Sequence, residues 1–201
     1  MLITFEGIDG CGKSTQLELL KKYLTKEGRQ VISIREPGGT SLAEDIREIL
    51  LHSKHRLSGE SELFLFEAAR ADLVSNVIKP ALIEGKIVLC DRFFDSTTAY
   101  QGYGRGLAVD LIKRINDFAT QGVQPDLTFY LHVSLATSRK RAGNKKKDNI
   151  ENSGDGFFKR VVEGYRDLCK MEPNRFFEID AEGDIEQTKN KILRILENKL
   201  R

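Results

Sequence analysis

Nowhere does this 201-residue chain carry the roughly 20 consecutive apolar residues that a bilayer crossing needs, so no membrane-spanning helix is expected. Net charge is nearly absent as well. Thirty-two Lys and Arg stand against 30 Asp and Glu, a formal +2, too balanced for a general nucleic-acid or membrane-surface binder. Any anion site must therefore be local. Cysteine is scarce and odd in number: Cys11, Cys90 and Cys169 lie far apart without metal-like pairing, which argues for reduced thiols and against a disulfide framework or a zinc site. The opening residues Met1-Leu2-Ile3-Thr4-Phe5-Glu6 contain neither a basic leader nor a small-residue cleavage site, so a cytoplasmic location is expected. Internal repeats and long Pro/Gly/Ser linkers are missing too, and the length suits one domain of about 100–200 residues.

What is present is an alternation. Apolar runs of strand length, rich in β-branched and aromatic residues, recur at 2–5, 31–34, 87–90, 127–133 and 176–179. Between the first two, Leu17, Leu20 and Leu24 follow helical spacing ahead of Gly28, placed as a helix-ending glycine. Segments 60–84, 108–119, 155–170 and 184–199 also read as helices, the last with Ile185, Ile192, Ile195 and Leu196 on one face. Strands alternating with helices predict an α/β fold: a five-stranded parallel sheet in three layers, with helices on both faces. Segment 142–156 is polar and lysine-rich and reads as mobile, or, more plainly, as a solvated loop.

After the first run comes Gly7-Ile8-Asp9-Gly10-Cys11-Gly12-Lys13-Ser14-Thr15, which satisfies G-x-x-x-x-G-K-[ST] in the strand–loop–helix setting that the motif requires. Glycines are needed because such a loop wraps phosphate oxygens with backbone N–H groups in conformations that a β-carbon obstructs. Lys13 is placed to reach the β- and γ-phosphates and Ser14 to ligate Mg²⁺, while the helix start favours the anion. Cys11 reads as a small spacer. These nine residues are the expected ATP site of a P-loop NTPase fold. A GTPase switch fits badly: Asn144-Lys145-Lys146-Lys147 has lysine where guanine recognition needs aspartate, and Asp91-Arg92-Phe93-Phe94 is not Asp-x-x-Gly. Instead, Asp91 and Arg92 follow the third run, at the strand end where α/β sheets bind ligands. That placement implies a second phosphate-bearing ligand, with a structural Asp91–Arg92 ion pair as the plainer alternative.

Together with the P-loop, Phe5-Glu6-Gly7-Ile8-Asp9-Gly10, Arg35-Glu36-Pro37-Gly38-Gly39-Thr40, Asp91-Arg92-Phe93, Ala99-Tyr100-Gln101-Gly102 and Gln124-Pro125-Asp126-Leu127-Thr128 resemble the bacterial thymidylate kinase family through nearly the whole chain. The P-loop is specific alone; the others are specific in this order and spacing. The resemblance implies phosphorylation of dTMP to dTDP by Mg·ATP, a step in dTTP synthesis for DNA replication. It also implies a homodimer through helices such as 41–51 and 60–84, with no nucleic-acid or membrane partner. Phe66 falls where the family stacks a phenylalanine on thymine, and Arg70, one turn later on the same helix face, where an arginine bonds the base. Spacing alone reads Phe66 as core beside Leu63 and Leu65. Thr97, Tyr100 and Gln101 fall on base- and sugar-contacting positions, with Tyr100 placed to disfavour a 2′-hydroxyl. Asp9 resembles the acid near the acceptor's sugar and phosphate. Arg47, which alone reads as a solvated helix residue, and Arg92 match two phosphate-binding arginines, whose forks suit bidentate contacts. Glu36 is expected in the same pocket, and Asp91 or Asp9 is expected to hold Mg²⁺ directly or through water.

Lys13, Arg92 and Asp9 are thus the expected catalytic groups, joined by a basic lid over about 139–156. Some family members carry an arginine in the P-loop after the aspartate; Gly10 stands there, as in the subtype with basic lid residues. This chain departs from that subtype's Asp-Arg pair by reading Asp148-Asn149. Arg139, Arg141, Lys145, Lys146 or Lys147 stand as substitutes, and Arg139 and Arg141 are preferred because they end a helix-like segment. Phe157-Phe158 and Arg160 resume the resemblance.

Overall fold

The computed structural model describes residues 1–143 and 148–200. The apolar runs form strands β1 (Leu2–Glu6), β2 (Val31–Arg35), β3 (Ile87–Asp91), β4 (Leu127–His132) and β5 (Phe176–Asp180). They pair in parallel in the order β2-β3-β1-β4-β5. Four strands continue one residue beyond the expected run, into Glu6, Arg35, Asp91 and Asp180, because the ladder bonds backbone groups and is indifferent to the side chain. The carboxyl edge of the sheet is consequently charged.

The helices are α1 (Lys13–Lys26), α2 (Ser41–His52), α3 (Gly59–Leu73), α4 (Lys79–Ile83), α5 (Phe94–Thr97), α6 (Val109–Thr120), α7 (Leu135–Ala142), α8 (Asp155–Met171) and α9 (Ile185–Leu200). The segment expected as one helix over 60–84 is two, α3 and α4, joined by a wide π turn at Val74–Ile78. Pro80 accounts for the break. It has no N–H for the carbonyl four residues back, and its ring would collide with that carbonyl in a regular helix. A second π turn, Thr98–Gly104, extends α5 and carries Tyr100 and Gln101 of the expected base pocket, while Thr97 ends α5 itself. Two glycines weaken its helical signal, yet both serve packing contacts. A Cβ at Gly104 would meet the Phe157 ring at 2.6 Å, and α8 reciprocates with Gly164 against Tyr103.

Alternate strand residues face opposite layers. Ile3, Phe5, Leu89, Leu127, Phe129 and Leu131 pack in one cluster with Leu17, Leu20 and Leu24 of α1 and Ile192 and Leu196 of α9. On the other face Leu2, Val88 and Cys90 meet Leu73, Val74 and Ile78. Along that second face β1 reads Leu2, Thr4, Glu6, and so grows polar toward its carboxyl end. The crossover leaving β1 leads to one side of the sheet and that leaving the adjacent β3 leads to the other. Loops following these two strands therefore part and open a crevice.

Candidate active site

A cavity of about 1230 Å³ fills the crevice. Its floor is the loop between β1 and α1. Helices α2, α3 and α7 each begin with a side-chain oxygen bonding their first turn, from Thr40, Ser58 and Ser134. Helix α1 has no such cap and no acid in its first turn; Gly12 precedes it at φ +100°, so its leading N–H groups are left for an anion. The Lys13 ammonium folds back onto the carbonyls of Gly7 and Ile8 at 3.0 and 3.1 Å and lies 3.7 Å from Asp9. Gly10 is required by a close approach. A Cβ there would stand 2.5 Å from the Ser138 carbonyl oxygen of α7, whose hydroxyl donates to the Asp9 carbonyl at 2.7 Å.

Ser14 Oγ donates to Asp91 Oδ2 at 2.8 Å, which brings the two expected metal ligands together. Among the described residues there is no group of three or more His, Cys, Asp or Glu able to hold a metal. One hydroxyl beside one carboxylate nevertheless fits Mg²⁺, which keeps several waters and takes its remaining oxygens from substrate phosphates.

Asp91 does not pair with Arg92, so the plainer reading of those neighbours does not hold. Arg92 adopts φ +73°, turns away from the strand, and bonds Asp9 at 2.8 Å, the Gly7 carbonyl at 2.7 Å and Ser96 at 3.2 Å. Burial by itself would raise the Asp9 carboxyl, but Arg92 and Lys13 outweigh it and bring it down to about 2. Asp9 is therefore an anion at any working pH.

Behind Arg92 lies a buried carboxyl that the sequence reading left without a role. Glu6 accepts from the Phe93 N–H at 2.7 Å, from Ser96 at 2.5 Å and from Tyr165 of α8 at 3.1 Å. Burial, with nearby Asp95, pushes it up to about 8 against the opposing pull of Ser96 and Arg92. The folded chain thus holds a proton that the unfolded chain releases, and stability falls as pH rises from about 4.5 to about 8. Glu6→Gln is expected to flatten that fall. Thermal unfolding across the window checks it: a Tm slope equal to wild type would assign the proton to another group, Glu36 first.

The opposite wall is built from α2, α3 and the second π turn. Arg70, 2% exposed, gives Nε to Glu36 at 2.8 Å and Nη2 to Thr97 at 3.0 Å, while Nη1 meets Glu67 and, at 3.4 Å, Asn116. Burial pushes the Glu36 carboxyl up to about 7 despite Arg70. Phe66 both lines the cavity and packs on the core, so the stacking and packing readings of it are compatible. Arg47 reaches the Pro37 carbonyl at 2.9 Å and faces the cavity with Tyr100 and Gln101. Glu67 and Asn116 went unnoticed in the sequence. Nothing in their spacing separates them from solvated helix residues.

The two favoured lid arginines part company. Arg141 lines the cavity and donates to the carbonyls of Ala181, Glu182 and Gly183, whereas Arg139 pairs with Asp155 and is not among the lining residues. Asn149 bonds the Leu51 and Ser53 carbonyls at the end of α2, and Lys145, Lys146 and Lys147 lie outside the described residues. The loop after β5 and the start of α9 were also unforeseen as part of the site: Gly183 and Asp184 of the loop and Ile185 and Thr188 of α9 line the far end with Gln16, whose amide donates to the Ile185 carbonyl at 2.9 Å.

A family model described as thymidylate kinase matches residues 5–192. The chain belongs to the thymidylate kinase family. Similar proteins include the thymidylate kinases of Chlorobium luteolum, 47% identical over 100% of this chain and 99% of that one, and of Kosmotoga olearia, 48% identical over 96% and 94%. The crystal structure of thymidylate kinase from Ehrlichia chaffeensis matches with a TM-score of 0.82 at 37% identity, covering 98% of each chain. The family's activity is phosphoryl transfer that converts dTMP to dTDP, and this chain is a phosphotransferase of that kind.

Proposed function

We propose that ATP with Mg²⁺ is the donor, that the loop 7–15 holds its phosphates, and that dTMP lies between Phe66, Arg70, Thr97, Tyr100 and Gln101. The observation that carries this reading is the shape of one cavity. Its lining joins the P-loop, to which Arg92 is bonded through Asp9 and the Gly7 carbonyl, with Arg47 of α2 and Phe66 and Arg70 of α3. At about 1230 Å³ it exceeds the roughly 300–1,000 Å³ of an ordinary single-ligand pocket, as two nucleotides require.

In the reaction an oxygen of the dTMP phosphate attacks the γ-phosphorus in line. A new P–O bond forms, the bond from the γ-phosphorus to the β,γ-bridging oxygen breaks, and ADP leaves with that electron pair. The nucleophile is already an anion, so no strong general base is needed. Bound at Ser14 and Asp91, Mg²⁺ would neutralise charge on the β- and γ-oxygens. Arg92 and Arg47 hold the acceptor phosphate, while Asp9, ionised, keeps the Arg92 fork oriented. Lys13 exchanges its loop carbonyls for phosphate oxygens, and Arg141, from the lid segment 139–156, adds charge on the donor side. Excluding water there prevents hydrolysis of ATP.

Pairing of two copies through α2 and α3 is part of the proposal. Leu42 and Ile49 on α2 and Phe64 on α3 are 51%, 46% and 63% exposed, a cost that a partner would remove. No helix among the described residues is long and apolar enough to cross a membrane. A cytoplasmic site of action is proposed from the substrates.

Release of ADP from Mg·ATP, measured with dTMP, dUMP, dCMP, dGMP, AMP or no acceptor, tests the reading. Release with dTMP is expected to exceed that with dUMP by about 10–200-fold, the scale of one methyl group in an apolar pocket. Equal release with every acceptor, or none with dTMP, would sink it.

A further inference from the structure

Gln101, 1% exposed, lines the cavity from the π turn Thr98–Gly104, and an amide there is ambiguous because one end accepts and the other donates. Its neighbour removes the ambiguity. Glu62, in α3 and 6% exposed, receives Gln101 Nε2 at 3.3 Å on Oε2. The same carboxylate is clasped by Arg105, with Nε to Oε2 at 2.9 Å and Nη2 to Oε1 at 2.7 Å. Clasped in that fork, both oxygens of Glu62 accept. Flipping the Gln101 amide would set its carbonyl oxygen against the Glu62 oxygen, two acceptors face to face in a buried place. The amide is therefore locked with its NH₂ toward Glu62, and the end left for a ligand is the carbonyl.

We propose that Glu62 is a specificity-determining residue: by fixing Gln101 it presents an acceptor to the base and so selects pyrimidines that carry an N3–H donor. Thymine and uracil have that donor. Cytosine presents a lone pair at N3 and meets Gln101 acceptor to acceptor. Arg70, on the same cavity wall, is itself held in orientation by Glu36, Glu67, Thr97 and Asn116. Arg105 extends the fork outward, bonding Ser153 at the end of the lid segment at 2.9 Å and lying 4.5 Å over the Phe157 ring, so the acceptor wall and the lid share one support.

This inference rests on dTMP occupying the wall that Gln101 lines. Glu62→Gln keeps the shape but can donate as well as accept, so Gln101 is free to flip. kcat/KM for dTMP, dUMP and dCMP is measured at fixed Mg·ATP. The dTMP:dCMP ratio is expected to fall about tenfold or more in Glu62→Gln, the scale of one hydrogen bond mismade, while dTMP:dUMP stays put because those bases share N3–H. Glu62→Asp and Arg105→Lys leave an accept-only carboxylate and are expected to lower all three acceptors together. Gln101→Leu, a change independent of whether Glu62→Gln folds, is expected to lose the same dTMP:dCMP preference. Wild-type discrimination kept in both Glu62→Gln and Gln101→Leu would overturn the role of Glu62 and leave the thymidylate reading intact. Wild-type protein that never preferred dTMP over dCMP would overturn both.

Discussion

Lys13→Ala is expected to lower kcat by about 10²–10³-fold or more, the scale of removing a donor aimed at developing charge, with the fold unchanged. The two effects separate because of what Lys13 touches without nucleotide. Its ammonium bonds two carbonyls of its own loop, Gly7 and Ile8, beside an open cavity where water can replace it. A triphosphate offers anionic acceptors instead, and an ammonium facing an anionic oxygen gains a Coulomb attraction that a neutral carbonyl does not supply. The loss is therefore felt when phosphate is bound and moving. Steady-state ADP release and a thermal melt on the same preparation check it; turnover near wild type would remove Lys13 from the mechanism.

Arg70→Ala is expected to act first on stability. The guanidinium is 2% exposed between Glu36 and Glu67, and its removal leaves two buried carboxyls without a counter-charge, a loss on the order of 3–5 kcal/mol. For a chain of this size that is roughly 6–20 °C in Tm. The sign with pH follows from Glu36. Burial already raises it to about 7 while Arg70 pulls it down, so without Arg70 the folded form holds its proton more firmly. A carboxyl raised in the folded state stabilises at low pH and ceases to as pH rises. The variant should accordingly be nearer wild type at about pH 5.5 than at about pH 8. A Tm difference of a degree or two, equal at both, would show that the carboxyls are relieved some other way. Arg47→Ala is the natural comparison: half-buried, with one bond to a carbonyl, it should weaken acceptor binding at little cost in Tm.

Much of the fold was legible because it depends on local patterns. Strand runs of β-branched residues, the leucines of α1 and the P-loop glycines each state their own structure. What stayed hidden depends on partners distant in sequence. Glu60, Glu62 and Glu67 look alike along α3, yet Glu60 is exposed while Glu62 and Glu67 are buried against arginines from the helix and from beyond β3. The π turns defeat periodicity, since 3.6-residue spacing does not describe them. Arg139 and Arg141 were preferred because they end a helix-like segment, and both do lie in the last turn of α7; but residues two apart on a helix point about 200° apart, so Arg141 faces the cavity and Arg139 faces Asp155. The motif residues Asp9, Glu36, Arg47, Phe66, Arg70, Asp91, Arg92, Thr97, Tyr100 and Gln101 do line one cavity, although only the resemblance singled out those on α2, α3 and the second π turn.

The contact between Gly10 and Ser138 sets a limit on redesign. With the backbone of α7 lying 2.5 Å from where a Cβ would begin, and φ at +75°, no side chain can start from that position while the helix stays where it is. An arginine rooted in the phosphate loop and a seventh helix seated on that loop are competing tenants of one space. Grafting the loop arginine of other family members onto this chain would therefore require re-routing α7, and exchange of the whole segment, not of a single residue, is the unit by which one architecture can be turned into the other.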